Sequence, residues 1–98
     1  MFVIRETFTA KPGMASKLAA MFKEVLKEVA SSVPGMKMRV LTDTVGPFNT
    51  VVWEAEIGAF SDFEKLMKEY ESRSDIREKM KGYTDMYVSG GREIYRVV

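Results

Sequence analysis

The sequence predicts an α+β domain in which a four-stranded antiparallel sheet is covered by helices on one face. Three observations predict it. Four segments alternate apolar and polar residues with period two, two segments repeat apolar residues every three or four positions, and glycine, proline or capping signals separate them. The 98 residues fit one domain, spanning 1–98. A domain of this length buries only a modest core.

The first predicted strand is Phe2–Thr9, whose even-numbered residues form the more apolar face, with Glu6 as the exception. Lys11–Gly13 ends this strand. A helix follows, because apolar residues then recur at spacings of three and four. These residues are Met14, Leu18, Met21, Phe22, Val25 and Val29. Ser31–Gly35 stops the helix.

The second and third predicted strands come next. Met36–Thr44 alternates and carries mixed charge, which is typical of an edge strand. The turn at Gly46–Asn49 then leads into a central strand within Val45–Ile57. This strand holds the only tryptophan, Trp53.

A second helix is predicted from a capping box formed by Ser61 and Glu64. Its apolar stripe consists of Phe63, Leu66, Met67 and Tyr70. Asp75 and Glu78 indicate a second cap and a short helix that runs through Met80.

The end of the chain is predicted to form the last strand. Tyr83–Ser89 is either a turn or a further helical piece, and Gly90-Gly91 is interpreted as the last break. Arg92–Val98 then forms the closing strand.

This order is the ferredoxin-like βαββαβ arrangement. Right-handed crossovers place the first and third strands side by side in the middle of the sheet and put both helices on one face. We expect these two central strands to run parallel to each other. The other face is bare and carries Val3, Arg5, Leu41 and Val52. Apolar area on a bare sheet predicts a partner. Two such sheets meeting face to face would form a dimeric α/β barrel.

Composition excludes several classes of function. Fifteen basic and fourteen acidic residues leave a charge of +1, which argues against a dedicated nucleic-acid or membrane-surface protein. The chain has no cysteine and no histidine, so we expect no disulfide, no metal site and no cofactor. It lacks an apolar run long enough to span a bilayer and the features of a signal peptide. We therefore expect a soluble, cytoplasmic protein.

Three stretches resemble the NIPSNAP family of the dimeric α/β-barrel superfamily. They are Thr7–Gly13, Val45–Asn49 followed by Val51-Val52, and Arg92–Arg96. The resemblance covers most of the chain and implies a ferredoxin-like fold and a homodimer, but no defined reaction. The superfamily includes cofactor-free quinol-type monooxygenases and haem-degrading enzymes. Family strands often carry a histidine where Trp53 stands and a tryptophan near Ala55, and without any histidine haem degradation is not expected.

Five residues form the predicted ligand site. Glu6 and Trp53 fall by parity on the helix-covered face, where an unpaired carboxylate would be costly, and Arg96 is the expected partner of Glu6. Tyr70 and Tyr83 could place hydroxyl groups in the same cavity. The alternative interpretation is a structural ion pair beside a tryptophan that anchors the core.

The remaining charged candidates fall on the bare face. Arg5, Arg39, Glu54 and Glu56 are expected to form cross-strand or cross-dimer ion pairs, and catalytic paired carboxylates are the alternative. RNA binding is rejected because Glu54 and Glu56 would repel phosphates. The predicted function is binding of a small apolar or aromatic molecule between sheet and helices, with a cofactor-free monooxygenase as its enzymatic form. The alternative function is a non-catalytic structural or interaction homodimer.

Overall fold

The structure, a computed structural model of residues 1–98, contains four strands and three helices. The strands are β1 (Phe2–Ala10), β2 (Lys37–Thr42), β3 (Thr50–Ile57) and β4 (Tyr87–Arg96). The helices are α1 (Ala15–Val29), α2 (Phe60–Ser72) and α3 (Ser74–Lys79). Single turns of 3-10 helix lie at Ala30–Ser32 and Tyr83–Asp85. None of the helices combines the length and apolar character needed to cross a membrane.

The sheet has the strand order β2-β3-β1-β4, and every neighbouring pair is antiparallel. This order confirms the predicted ferredoxin-like fold, with β2 at an edge and β3 inside the sheet. The predicted parallel orientation of the first and third strands was wrong. Because α1 carries the chain back along the sheet, β2 runs in the same direction as β1. The β2–β3 hairpin then reverses the direction, so β3 runs opposite to β1.

The hydrophobic core lies between one face of the sheet and the three helices, with α1 contributing the most buried residues. The strands contribute Ile4 and Val51, which are fully buried, and α1 contributes Leu18 and Val25. Fully burying each such side chain stabilises the fold by about 1.5–3 kcal/mol. The predicted helical stripe therefore forms the main contact of α1, and Leu26 joins it.

The helix α2 begins one residue before the predicted cap. Its N-cap is Ala59, whose backbone N–H donates to a carboxylate oxygen of Asp62 at 3.3 Å. The capping box of Ser61 and Glu64 was wrong, because Ser61 already lies in the first helical turn. The short helix predicted near Asp75 is present as α3.

The strand β4 begins at Tyr87 and not at Arg92. Gly90 and Gly91 lie within it and pair with β1. The reason is close packing rather than a turn: a Cβ atom on Gly90 would lie 2.9 Å from the ring of Phe8. The glycine pair therefore continues the sheet beneath an aromatic side chain.

Candidate functional site

A cavity of about 180 Å³ lies between the helix-covered face of the sheet and the segment from α2 to the turn before β4. Four of the five predicted site residues line it, namely Glu6, Trp53, Tyr70 and Tyr83. The fifth, Arg96, does not. The other lining residues are Phe8, Phe22, Met67, Met80 and Arg92. Apart from the Glu6–Arg92 pair and two tyrosine hydroxyls, the lining is aromatic or thioether.

Glu6 forms an ion pair with Arg92 across β1 and β4, where the two residues are directly opposite. The Arg92 Nη2 atom lies 3.0 Å from Glu6 Oε2, and Arg92 Nε donates to the same oxygen at 3.1 Å. The other oxygen, Oε1, accepts no hydrogen bond from the protein. The Glu6 side chain is only 14% exposed and lines a mostly apolar cavity, and one of its carboxylate oxygens has no partner in the protein.

The predicted partner of Glu6 was wrong. Arg96 lies opposite Phe2, and its guanidinium stacks over the Phe2 ring at 5.6 Å. Four residues along a strand span about 13 Å, which is too far for an ion pair with Glu6. Arg92 and Arg96 have the same parity, so alternation alone cannot choose between them. The register of β4 makes the choice.

Burial sets the protonation of the cavity groups. It raises the pKa of the Glu6 carboxyl, and the charge and hydrogen bonds of Arg92 oppose this only in part. Burial also raises the pKa of the Tyr70 hydroxyl well above its usual range, and the charge of Glu6 adds to this effect. The pKa of Tyr83 is raised mainly by burial. Both tyrosines are therefore neutral hydrogen-bond donors at neutral pH, and Glu6 is the only carboxyl group among the lining residues.

Aromatic packing shapes one wall of the cavity. The ring centroids of Phe8 and Phe22 lie 4.9 Å apart, and those of Phe22 and Tyr83 lie 6.4 Å apart. Phe8 and Phe22 were predicted as packing residues only, and their place in the cavity lining was not predicted. The available signal was that Phe8 shares the strand face of Glu6 and that Phe22 belongs to the apolar stripe of α1, which packs on that face. The guanidinium of Arg92 also lies over the ring of Phe63 at 5.1 Å, which helps to hold it beside Glu6.

The bare face of the sheet carries a different carboxylate site. Arg39 Nη2 lies 2.7 Å from Glu54 Oε1, and Arg5 Nε donates to Glu54 Oε2 at 3.0 Å. This confirms the predicted cross-strand ion pairing for Arg5, Arg39 and Glu54, whereas Glu56 forms no ion pair within the chain. The hydrogen bonds from Arg39, and then those from Arg5, hold the pKa of Glu54 below its usual range despite burial. No group of three or more acidic residues is arranged to hold a metal ion.

Comparisons with solved structures place this geometry in a known fold. An uncharacterized NIPSNAP domain protein from Burkholderia xenovorans superposes with a TM-score of 0.81 at 11% identity, over 100% of this chain and 95% of that chain. A NIPSNAP family protein from Agrobacterium tumefaciens superposes with a TM-score of 0.82 at 10% identity, over 99% and 92%. The chain has a NIPSNAP-like fold.

A structure described as a monooxygenase has a similar fold. A candidate antibiotic biosynthesis monooxygenase from Deinococcus radiodurans superposes with a TM-score of 0.71 at 11% identity, over 100% of this chain and 93% of that chain. The sequence matches no family profile and no curated protein. The resemblance noted in the sequence is thus confirmed for the fold.

Proposed function

We propose that this protein binds a small apolar or aromatic molecule in the cavity between the sheet and α2. The observation that carries the proposal is Glu6, which lines a mostly aromatic and thioether cavity and whose Oε1 accepts no hydrogen bond from the protein. An apolar protein cavity of about 150 Å³ can hold benzene. A cavity of about 180 Å³ therefore has room for one substituted ring.

The lining favours a ring that carries a hydrogen-bond donor. A hydroxyl or amine group of the ligand would donate to Glu6 Oε1, while the ring packs against Trp53 and Phe22. Tyr70 and Tyr83 would supply hydroxyl donors to a second polar group. A ring without a donor would leave the carboxylate oxygen unpaired and would bind more weakly.

The enzymatic form of the proposal is a cofactor-free monooxygenase. The raised pKa of Glu6 suits a general base, which would take the proton of an electron-rich phenol. The phenolate would then reduce dioxygen: one oxygen atom is inserted into the ring, the other leaves as water, and the ring is oxidised to the quinone. The fold shared with the candidate monooxygenase from Deinococcus radiodurans supports this form by analogy.

A titration followed by NMR tests the binding proposal. Trp53 is the only tryptophan, so its indole N–H gives a single resonance from inside the cavity wall. We expect p-cresol to shift this resonance and to bind roughly tenfold more tightly than toluene, which has the same ring but no hydroxyl. Equal affinity for the two compounds, or no shift with either, would contradict the proposal. Dioxygen uptake in the presence of hydroquinones tests the enzymatic form.

We further infer that two copies associate through the bare faces of their sheets. Leu41 and Tyr95 are 39% and 47% exposed there. A row of alternating charge crosses this face in the order Arg39, Glu54, Arg5, Glu93. When a second copy is turned about an axis parallel to the strands, each arginine of the row faces a glutamate. This arrangement supports a self-complementary interface.

Sedimentation of two lysine variants tests the dimer. Leu41→Lys places a charge in the proposed interface and is expected to shift the protein towards monomer. Val45→Lys adds the same charge at a turn residue that is 96% exposed, and should leave the association unchanged. A dimer that tolerates Leu41→Lys, or a wild-type monomer, would contradict this interface.

A dimer with an empty cavity would favour the non-catalytic alternative. The cytoplasmic location stays a prediction.

A further inference from the structure

A second groove, separate from the Glu6 cavity, lies between α1 and the edge strand β2. Its volume is about 510 Å³. Five of its eight lining residues are hydrophobic, among them Leu26, Met38 and Val40, and Lys23 and Lys27 of α1 also line it. The flexible side chains of Met36 and Met38 allow the groove to adapt its shape to a ligand.

The backbone of β2 is unpaired on the side that borders this groove. Asp43 N–H donates to the carbonyl of Thr50 at 3.2 Å, which sets the odd-numbered residues of β2 to bond with β3. Antiparallel pairing alternates along a strand, so the N–H and C=O groups of Met38 and Val40 point outward. No turn or loop hydrogen bond of the backbone uses them. The edge therefore offers donors and acceptors at the regular spacing of a strand.

The charge around the groove is positive. Lys23 and Lys27 lie one helical turn apart, both are exposed, and neither forms an ion pair. No carboxylate lines the groove. On the opposite face of β2, Lys37 is also exposed. There it lies opposite Glu56 of β3, so the uncompensated positive charge along this edge is on the groove side.

We propose that this edge binds an extended acidic peptide segment as an added strand. The backbone of the segment would pair with Met38 and Val40. Its apolar side chains would enter the groove and contact Leu26, while its carboxylates would lie within the range of Lys23 and Lys27. This proposal does not depend on the function proposed for the Glu6 cavity.

Charge selects this occupant over a second copy paired edge to edge through β2. Such a pairing would place an exposed lysine, Lys37, on each of the two paired strands, and lysines on edge strands discourage that contact. An acidic strand meets no such repulsion. The same cationic edge therefore opposes self-association and favours an acidic partner.

Amide hydrogen exchange measured by NMR tests the proposal. The probe is an acetylated heptapeptide, EEVVEEV, in which both faces of the extended chain carry valine and glutamate, and its control replaces each glutamate with lysine. We expect the acidic peptide to slow exchange at the amides of Met38 and Val40 by roughly tenfold or more at saturation, since each becomes hydrogen-bonded. The basic control should leave both amides unchanged.

Two charge-matched double variants sharpen the test. Charge reversal by the double variant Lys23→Glu with Lys27→Glu is expected to weaken binding of the acidic peptide roughly tenfold. Reversal of Lys68→Glu with Lys81→Glu changes the net charge equally at exposed positions outside the groove, and should have a much smaller effect.

Four results would overturn the proposal. The first is equal binding of the basic peptide. The second is peptide-induced shifts without protection of Met38 and Val40. The third is groove shifts with decanoate but none with the acidic peptide, which would assign the groove to a small amphiphile. The fourth is protection that rises with protein concentration alone, which would assign the edge to a second copy.

Discussion

The sheet carries one carboxylate–arginine site on each face, and the two sites differ in how completely the carboxylate is bound. Glu6 pairs with Arg92 under the helices, and Glu54 pairs with Arg5 and Arg39 on the bare face. The shortest nitrogen–oxygen distances are 3.0 Å and 2.7 Å, so the individual contacts are similar. The pKa of Glu6 is raised and that of Glu54 is lowered.

The difference lies in the number of oxygens that the protein occupies. Each oxygen of Glu54 has its own arginine, so the ionised form is fully compensated. Both contacts of Arg92 fall on one oxygen of Glu6, and burial outweighs them. A carboxylate whose two oxygens both accept hydrogen bonds from the protein stabilises the sheet. A carboxylate beside a cavity with one unpaired oxygen has that oxygen available for a ligand.

The largest expected effect on stability is at Glu54. Glu54→Gln removes the charge that compensates Arg5 and Arg39, and we expect the free energy of unfolding to fall by about 1–2 kcal/mol. The half-exposed arginines keep the loss below that of a fully buried pair. Urea unfolding at neutral pH measures this. An unchanged midpoint would show that the bare-face network does not stabilise the fold.

The next effect separates the two arginines of β4. Arg92→Gln leaves Glu6 without its partner and favours its protonated form, so we expect the affinity for p-cresol to fall roughly fivefold or more. Arg96→Gln removes only the contact with Phe2 and should change the affinity less than twofold. NMR titration of both variants measures this. The reverse order of effects would contradict the register of β4.

The smallest effect is a pair of opposite pH slopes. The raised pKa of Glu6 means that its contribution to stability is present below its ordinary pKa of 4.5 and is lost as pH rises through the folded-state value. The lowered pKa of Glu54 means that its contribution is present above 4.5 and is lost as pH falls through the folded-state value.

Urea unfolding from about pH 3 to pH 7 measures both slopes against the amide variants. The stability of the wild type relative to Glu6→Gln should decrease as pH rises. The stability of the wild type relative to Glu54→Gln should increase over the same range. Slopes of the same sign would mean that the two carboxylates share one environment.

Much of the fold could be predicted from local pattern. Period-two alternation identified β1 and β3, and a stripe with helical spacing identified the buried side of α1, because each pattern requires only that one face be apolar. The same parity assigned Glu6 and Trp53 to the helix-covered face. That is why four of the five predicted site residues line one cavity.

The register of β4 could not be predicted in this way. Gly90-Gly91 has the local signature of a break, and only the ring of Phe8, more than eighty residues away along the chain, explains why glycine lies inside the strand. With the start of β4 placed too late, Arg96 was chosen over Arg92. The strand order itself came from the crossover rule, but the relative direction of β1 and β3 required counting the hairpin reversal.

The most direct test compares Glu6→Gln with Glu54→Gln in two measurements, the affinity for p-cresol and the free energy of unfolding. We expect Glu6→Gln to weaken binding roughly tenfold while changing stability by less than about 1 kcal/mol, because removing the charge also removes its desolvation cost. Glu54→Gln should lower stability and leave the affinity unchanged. Equal losses of binding and stability in Glu6→Gln would contradict the account and reduce Glu6 to a structural ion pair.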